Sequence, residues 1–226
     1  MSLSWPDVWQ FRGVLYSSLG HYILEPIEKL DQTILTPKFW RNFPLEPSND
    51  KLSSALERLM TTTSILESFS KKEIKEKIMF EYTDLFIGSG FPKAAPIQSF
   101  YTSDKKQLFG STTFEMRNIL EKNGLETTMK DKFPEDHLGF QLLFLAKLSH
   151  RLNEIPEEKY LSLIRDQALF IGKYLLTWIP QLCHDTKKHG TLGFYSGLVE
   201  LIWGTLLWDK KLLEEFITQH KSTQTP

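Results

Sequence analysis

The sequence predicts an all-α protein. Apolar residues recur at helical spacing along nearly the whole chain, and proline, glycine and capping residues fall between the periodic segments. No stretch alternates polar and apolar residues between paired turn signals, so no sheet is expected. The expected architecture is a single compact multi-helix bundle with a seam. Residues 1–123 form an N-terminal helical part, 124–133 a connector or hinge, and 134–226 a C-terminal helical part.

The elements follow in order. Ser4, Pro6 and Asp7 favour a helix start, and Val8, Phe11, Leu15 and Tyr22 continue it at i, i+3, i+4 spacing. Pro26 and Pro37 each open a short helix, and Pro44 with Pro47 makes residues 42–49 a loop. Leu52, Leu56, Leu59 and Leu66 mark the next helix. Ser70 with Glu73 forms a capping box, and the helix it starts runs through Ile74, Ile78, Tyr82 and Leu85 until Gly88 and Gly90 stop it. Two prolines and two glycines make 88–103 an irregular loop. Thr112 with Glu115 reads as a second capping box, and Asn123-Gly124 as a C-terminal stop. Pro134, Glu135 and Asp136 place a proline and two acids in a first turn, ahead of Leu138, Leu142, Leu145 and Leu152. Pro156 opens a helix that Pro180 interrupts. Residues 191–208 and 209–220 are read as the last two helices, with a frayed tail beyond.

Composition narrows the classes. The 27 basic and 28 acidic residues leave a net charge of −1, which argues against general nucleic-acid binding, since phosphates call for a basic excess. Cys183 is the only cysteine, so an intrachain disulfide or a multi-cysteine zinc site is ruled out, and a reducing compartment fits. No apolar run approaches the roughly 20 residues needed to span a bilayer. No basic stretch precedes an apolar one at the N-terminus, so no secretory signal is expected and the cytoplasm is the expected location.

Two segments are denser in aromatic, acidic and turn residues than folding requires. The first runs from Glu81, Tyr82, Asp84, Leu85 and Phe86 through Gly88 and Gly90 to Ala95, Pro96, Ile97, Ser99 and Tyr101. The second is Pro134-Glu135-Asp136-His137-Leu138-Gly139. On periodicity alone Tyr82, Leu85 and Phe86 read as core residues near a helix end, and Asp136-His137 as a first-turn acid beside a surface histidine. Adjacent helical positions point about 100° apart, which suits Asp136 and His137 poorly for holding one metal ion.

Taken together, the two segments resemble the signatures of the TorD/DmsD family of redox-enzyme maturation chaperones. That family joins an acidic-aromatic start, Leu-Phe, a glycine turn and a proline-rich run ending in Ser-x-Tyr, followed later by Asp-His-Leu-Gly. The present chain departs from it at Ser89, where proline is common, at Pro96-Ile97, where members often carry Pro-Trp, and at Tyr82, where some carry tryptophan. The resemblance implies a TorD-like helical domain and a cytoplasmic chaperone. Its partner would be the twin-arginine leader peptide of a molybdoenzyme precursor, held until cofactor insertion and so delayed in export. The alternative is a NarJ-like assembly factor for a non-exported subunit. The resemblance further implies contact with the Tat translocase or the molybdenum-cofactor machinery, a monomer or a domain-swapped dimer, no cofactor of its own, and at most weak guanine-nucleotide binding.

Such a client needs an apolar groove and carboxylates for its guanidinium groups. The expected peptide-binding residues are Tyr82, Leu85, Phe86, Ile97, Pro134, Asp136 and His137, set in one cleft. Glu81, Asp84 and Glu135 are the further electrostatic candidates, and Gly88, Gly90, Pro96, Ser99, Tyr101 and Gly139 shape the turns. Enzyme readings fit poorly. Ser89 stands in Gly-Ser-Gly after a helix rather than in a Gly-x-Ser-x-Gly elbow, and Cys183, His184 and His189 read as a loop group rather than a metal site.

Overall fold

A computed structural model describes residues 4–88, 90–127 and 132–221. Its ten α-helices among these residues are α1 Trp5–Leu24, α2 Pro37–Arg41, α3 Asp50–Leu66, α4 Lys71–Tyr82, α5 Gln98–Thr102, α6 Ser111–Lys122, α7 Leu138–Leu152, α8 Tyr160–Phe170, α9 Ile179–His189 and α10 Phe194–Lys221. Wider π-helical turns, Thr83–Ile87 and Ile171–Leu175, extend α4 and α8. The fold is all-α. The nearest approach to a strand among the described residues is one isolated bridge between Ile97 and His137.

The chain divides into two compact units, each drawn from distant parts of the sequence. Met1–Leu24, Ile97–Thr177 and Asp209–Pro226 form the first, and Glu25–Pro96 and Trp178–Trp208 the second. The expected connector at 124–133 lies inside the first unit, and its residues 128–131 fall outside the described residues. So do Ser89 and the tail beyond 221.

In the first unit α1 runs antiparallel to α7, and two glycines set the approach. A Cβ on Gly13 would fall 2.4 Å from the His150 ring, and one on Gly139 would fall 2.8 Å from the Leu24 Cβ. A buried ion pair ties this layer to α8 and α10. The Arg12 guanidinium donates to both Asp209 oxygens at 2.5 and 2.8 Å and to Gln167 Oε1 at 2.9 Å, while the Tyr16 hydroxyl donates to Asp209 at 2.6 Å. Burial opposes the charge on Arg12, but the attraction of Asp209 and its hydrogen bond outweigh it and hold the pKa above its ordinary value. Burial, with the Asp209 charge, also pushes the Tyr16 hydroxyl well up.

In the second unit the first half of α10 packs on α3. Gly204 and Gly197 bring its backbone close to Leu52 and Leu59, and Asn49, which caps α3 through Lys51 and Leu52, also donates to the Gly204 carbonyl at 3.0 Å. The Trp40 indole is buried and donates to the Ile34 carbonyl at 2.7 Å.

Several boundaries differ from the sequence expectation for physical reasons. The break expected between 208 and 209 is absent, because Asp209 is not a helix-starting acid but the buried partner of Arg12 within one 28-residue helix. Thr112 and Glu115 do not form a capping box. The helix starts at Ser111, where Thr113 Oγ1 accepts the Gly110 amide at 3.2 Å. Pro180 opens α9 rather than ending a helix. The Ser70–Glu73 box forms as expected.

Replacing Asp209 by Asn leaves the Arg12 charge buried without its counter-ion, and such losses typically cost about 3–5 kcal/mol. Urea unfolding of Asp209→Asn is expected to show a midpoint lowered accordingly, with its slope unchanged.

Candidate functional site

The first motif, up to Pro96, belongs to the second unit. α4 ends in a π-helical turn closed by the Gly88 amide donating to the Thr83 carbonyl at 2.7 Å, and Gly88 takes the left-handed φ of +69° that a side chain disfavours. Leu85 and Phe86 face inward from this turn, and Tyr82 is buried beside them. The Tyr82 and Phe86 rings each lie against Tyr195, with centroids 5.4 and 5.2 Å away, and burial pushes the Tyr82 hydroxyl up to about 12, aided by the Glu25 charge. Pro96 is buried too, whereas a Cβ on Gly90 (φ +128°) would meet open space.

Glu81 is buried, and its carboxylate accepts the backbone amides of Leu192 at 2.7 Å, Gly193 at 2.8 Å and Tyr195 at 3.2 Å. Those amides lead into α10, so a glutamate on α4 caps another helix and meets its positive end. Asp84 is the motif acid that reaches solvent. Both its oxygens hold Lys93 Nζ, at 2.7 and 2.8 Å.

The rest of the first motif joins the second motif in the first unit. Asp136 is fully buried. One of its oxygens accepts the Ser99 amide at 2.7 Å and the Thr112 hydroxyl at 2.8 Å, and the other accepts the Thr113 hydroxyl at 2.8 Å. Its backbone carbonyl accepts the Gln98 amide at 3.1 Å. A single aspartate therefore fixes the starts of α5 and α6. Ile97 is buried across from His137, and Tyr101 packs edge-on against Phe100.

His137 caps α7, its Nδ1 accepting the Gly139 amide at 3.1 Å, and its ring lies between Phe133 and Phe140. Burial pushes its pKa down to about 3. Pro134 is buried and its carbonyl accepts the His137 amide at 3.0 Å. Glu135 accepts from Arg117 Nε at 2.6 Å, and that bond, with the carboxylate's charge, holds the guanidinium pKa up. Asp136 and His137, adjacent in sequence, are thus engaged with different helices rather than with each other.

A groove that the sequence reading missed lies along α6 and α7. Where α6 ends, Gly124 takes a left-handed φ of +68°, its amide donates to the Glu121 carbonyl, and the Leu125 amide donates to the Leu120 carbonyl at 2.9 Å. This pairing is the Schellman stop that Asn123-Gly124 suggested, and it turns the chain so that Leu125 joins Leu120 on one wall. Phe140, Leu143 and Phe144 on α7 form the opposite wall of a cavity of 180 Å³, which Lys147 also lines. Leu120, Leu125, Glu126 and Thr127 continue into an adjoining cavity of 300 Å³ bordered by Glu121, Glu135 and Arg117. The two cavities thus combine an apolar trough with three carboxylates, one guanidinium and the Lys147 ammonium. Only Glu135 of this set stands in a motif. The others come from an ordinary helix end whose surroundings periodicity does not disclose.

Among the described residues no group of three or more histidine, cysteine and acidic side chains is placed to hold a metal ion. Cys183 is buried, and burial pushes its thiol up to about 11. No described helix is long and apolar enough to cross a membrane.

Comparison with known proteins agrees with the motifs. Residues 49–184 match the family model described as nitrate reductase delta subunit. "Chaperone protein TorD" of Vibrio cholerae serotype O1 (strain ATCC 39541 / Classical Ogawa 395 / O395) is 31% identical over 74% of this chain and 76% of its own length. The proteins of the same name from Vibrio parahaemolyticus serotype O3:K6 and Vibrio vulnificus strain YJ016 are 25% and 23% identical, over 86% and 91% of this chain and 86% and 92% of theirs. The chain belongs to the TorD family of redox-enzyme maturation chaperones.

Neutral His137 makes stability depend on pH in a definite direction. Its folded pKa lies below the unfolded value of 6.5, so as pH falls through 6.5 towards 3 only the unfolded chain gains the proton, and stability drops by about 1.4 kcal/mol per pH unit. Between pH 7.5 and 5.0 the native protein is expected to lose about 2 kcal/mol on this account. His137→Asn, which keeps a capping oxygen for Gly139, is expected to lose less over the same interval in chemical denaturation.

Proposed function

We propose that this chaperone acts in the cytoplasm and binds the N-terminal twin-arginine leader of a molybdoenzyme precursor, holding it until the cofactor is inserted and so delaying export. The observation that carries this reading is the α6–α7 groove, whose apolar trough ends among Glu121, Glu126 and Glu135. A twin-arginine leader has the same order of chemistry, two guanidinium groups followed by a moderately apolar stretch. Glu121, Glu126 and Glu135 are the carboxylates against which two guanidinium groups would be set, and Arg117 already shows one guanidinium held on Glu135. Burying about 200 Å² of apolar leader surface gives roughly 5 kcal/mol of gross gain, and ordering a flexible peptide removes several of these, so micromolar binding is the natural range.

On this reading the motif residues contribute from beneath. Asp136, Ser99 and His137 hold the starts of α5, α6 and α7, Pro134 shapes the turn that presents Glu135, and Tyr82, Leu85 and Phe86 build the second unit's core. The chaperone needs no cofactor of its own for this task. The family description, which names a nitrate reductase subunit, favours a second reading in which the client is not exported and the groove takes an apolar segment without paired arginines.

Titration of a labelled twin-arginine leader peptide separates these readings. The wild-type protein is expected to bind it at least tenfold more tightly than the same peptide with glutamine in place of both arginines, a gap of about 1.4 kcal/mol. Glu121→Lys combined with Glu126→Lys is expected to abolish that preference, and Leu125→Ser to weaken both peptides alike. Equal binding of the two peptides by the wild-type protein contradicts the twin-arginine reading and supports the second one.

A further inference from the structure

The second unit holds a cavity of 410 Å³ between α3 and the turn that leads into α10. Ser54, Arg58, Thr61, Thr62 and Ile65 recur at helical spacing, so one flank of α3 supplies the first wall. Leu192 and Gly193 supply the second, and it is firmly held. The Glu81 carboxylate accepts both of their amides, at 2.7 and 2.8 Å. Gly193 takes a φ of +96°, and a Cβ there would stand only 3.2 Å from Thr62 Oγ1, so the glycine keeps the turn close to α3.

A buried acid aims the one cation of this cavity. The Glu200 side chain is 2% exposed; Lys187 Nζ pairs with one of its oxygens at 2.5 Å, and Arg58 Nε approaches the other at 3.7 Å. That distance is too long for a hydrogen bond, and Arg58 donates none among the described residues. Two cations thus share one carboxylate, and the outer fork of the Arg58 guanidinium is left for a second one. The hydroxyls beside it are open too. Thr63 donates back to the Leu59 carbonyl at 2.7 Å, a bond common for threonine in a helix, whereas Ser54 and Thr61 make no such bond among the described residues. Ile65, 55% exposed, and Leu192 place aliphatic surface in the same cavity.

We propose that this cavity binds a single carboxylate with an aliphatic group beside it, as the C-terminal residue of a polypeptide presents them. Arg58 pairs with the carboxylate, the Ser54 and Thr61 hydroxyls add hydrogen bonds, and Ile65 and Leu192 receive the aliphatic side chain. At a chain end both groups sit on one carbon, whereas an aspartate or glutamate side chain carries no aliphatic branch. Glu57, the acid of the same cavity, repels a second carboxylate and so restricts the site to one. Glu200 is a positioning residue, acting through Arg58. The cavity belongs to the second unit and the α6–α7 groove to the first, so neither assignment rests on the other.

The test uses the full chain, isotopically labelled, and three probes: acetyl-Gly-Ser-Leu with a free C-terminal carboxylate, the same peptide as its C-terminal amide, and N-acetylleucine. Binding is read by NMR from the amide shifts of residues 54–65 and 192–193. The free-acid peptide is expected to bind about fivefold more tightly than the amide, the scale of one exposed charge pair. Arg58→Gln is expected to bring the acid peptide to the affinity of the amide and to leave the amide unchanged. Because that change also touches buried Glu200, Thr61→Asp serves as a second variant. It alters an exposed position, leaves Arg58 beside Glu200 and is expected to remove the same preference. Glu57→Gln is expected to tighten the acid peptide about twofold. Weaker binding of N-acetylleucine than of the acid peptide supports the chain end, while equal binding overturns it in favour of a small aliphatic acid. The site itself is overturned if acid and amide bind alike, or if neither stretch shifts.

Discussion

One buried carboxylate organises the first unit. Asp136 has no solvent of its own, so its charge must be met inside the protein, and an amide and two threonine hydroxyls meet it. Those donors sit at the starts of α5 and α6, and the neighbouring His137 starts α7. The walls of the α6–α7 groove are consequently placed by two adjacent residues. Removing the carboxylate would leave two buried donors and the half-buried Thr112 hydroxyl without this acceptor, which is more damaging than losing one surface contact.

The second unit uses the same device with different residues. Glu81 reaches from α4 to the amides that open α10, so the long helix is started by a side chain more than a hundred residues away in sequence. Both units thus turn a motif acid into a helix cap. This explains why a chaperone motif can be rich in acids and yet show few of them at its surface. The acids that meet solvent at the groove are Glu121 and Glu126, and neither lies within a motif.

Much of this was legible in the residues themselves. Helical spacing, the Ser70–Glu73 box and the Asn123-Gly124 stop depend on neighbours within one turn, and they appear in the structure as read. Family membership was legible from the two motifs. Partnerships over long sequence distances were not. Asp209 looks like a first-turn acid until Arg12 is placed beside it, and Thr112 looks like a cap until Asp136 takes its hydroxyl. Nor does a sequence reveal that Leu125, just past a helix stop, lines a cavity with Phe140 and Phe144. The π-helical turn at 83–87, which leaves Ile87 in solvent while Leu85 and Phe86 are buried, leaves no mark in the periodicity.

Hydrogen–deuterium exchange of the protein with and without a saturating twin-arginine leader tests most directly whether recognition lies on the groove while the motif acids serve as its frame. Slowed exchange at residues 117–127 and 140–147, with the already buried amides around Ser99 unchanged, is the outcome the account requires. Slowing confined to other parts of the chain, with both of those stretches exchanging as in the free protein, would contradict it.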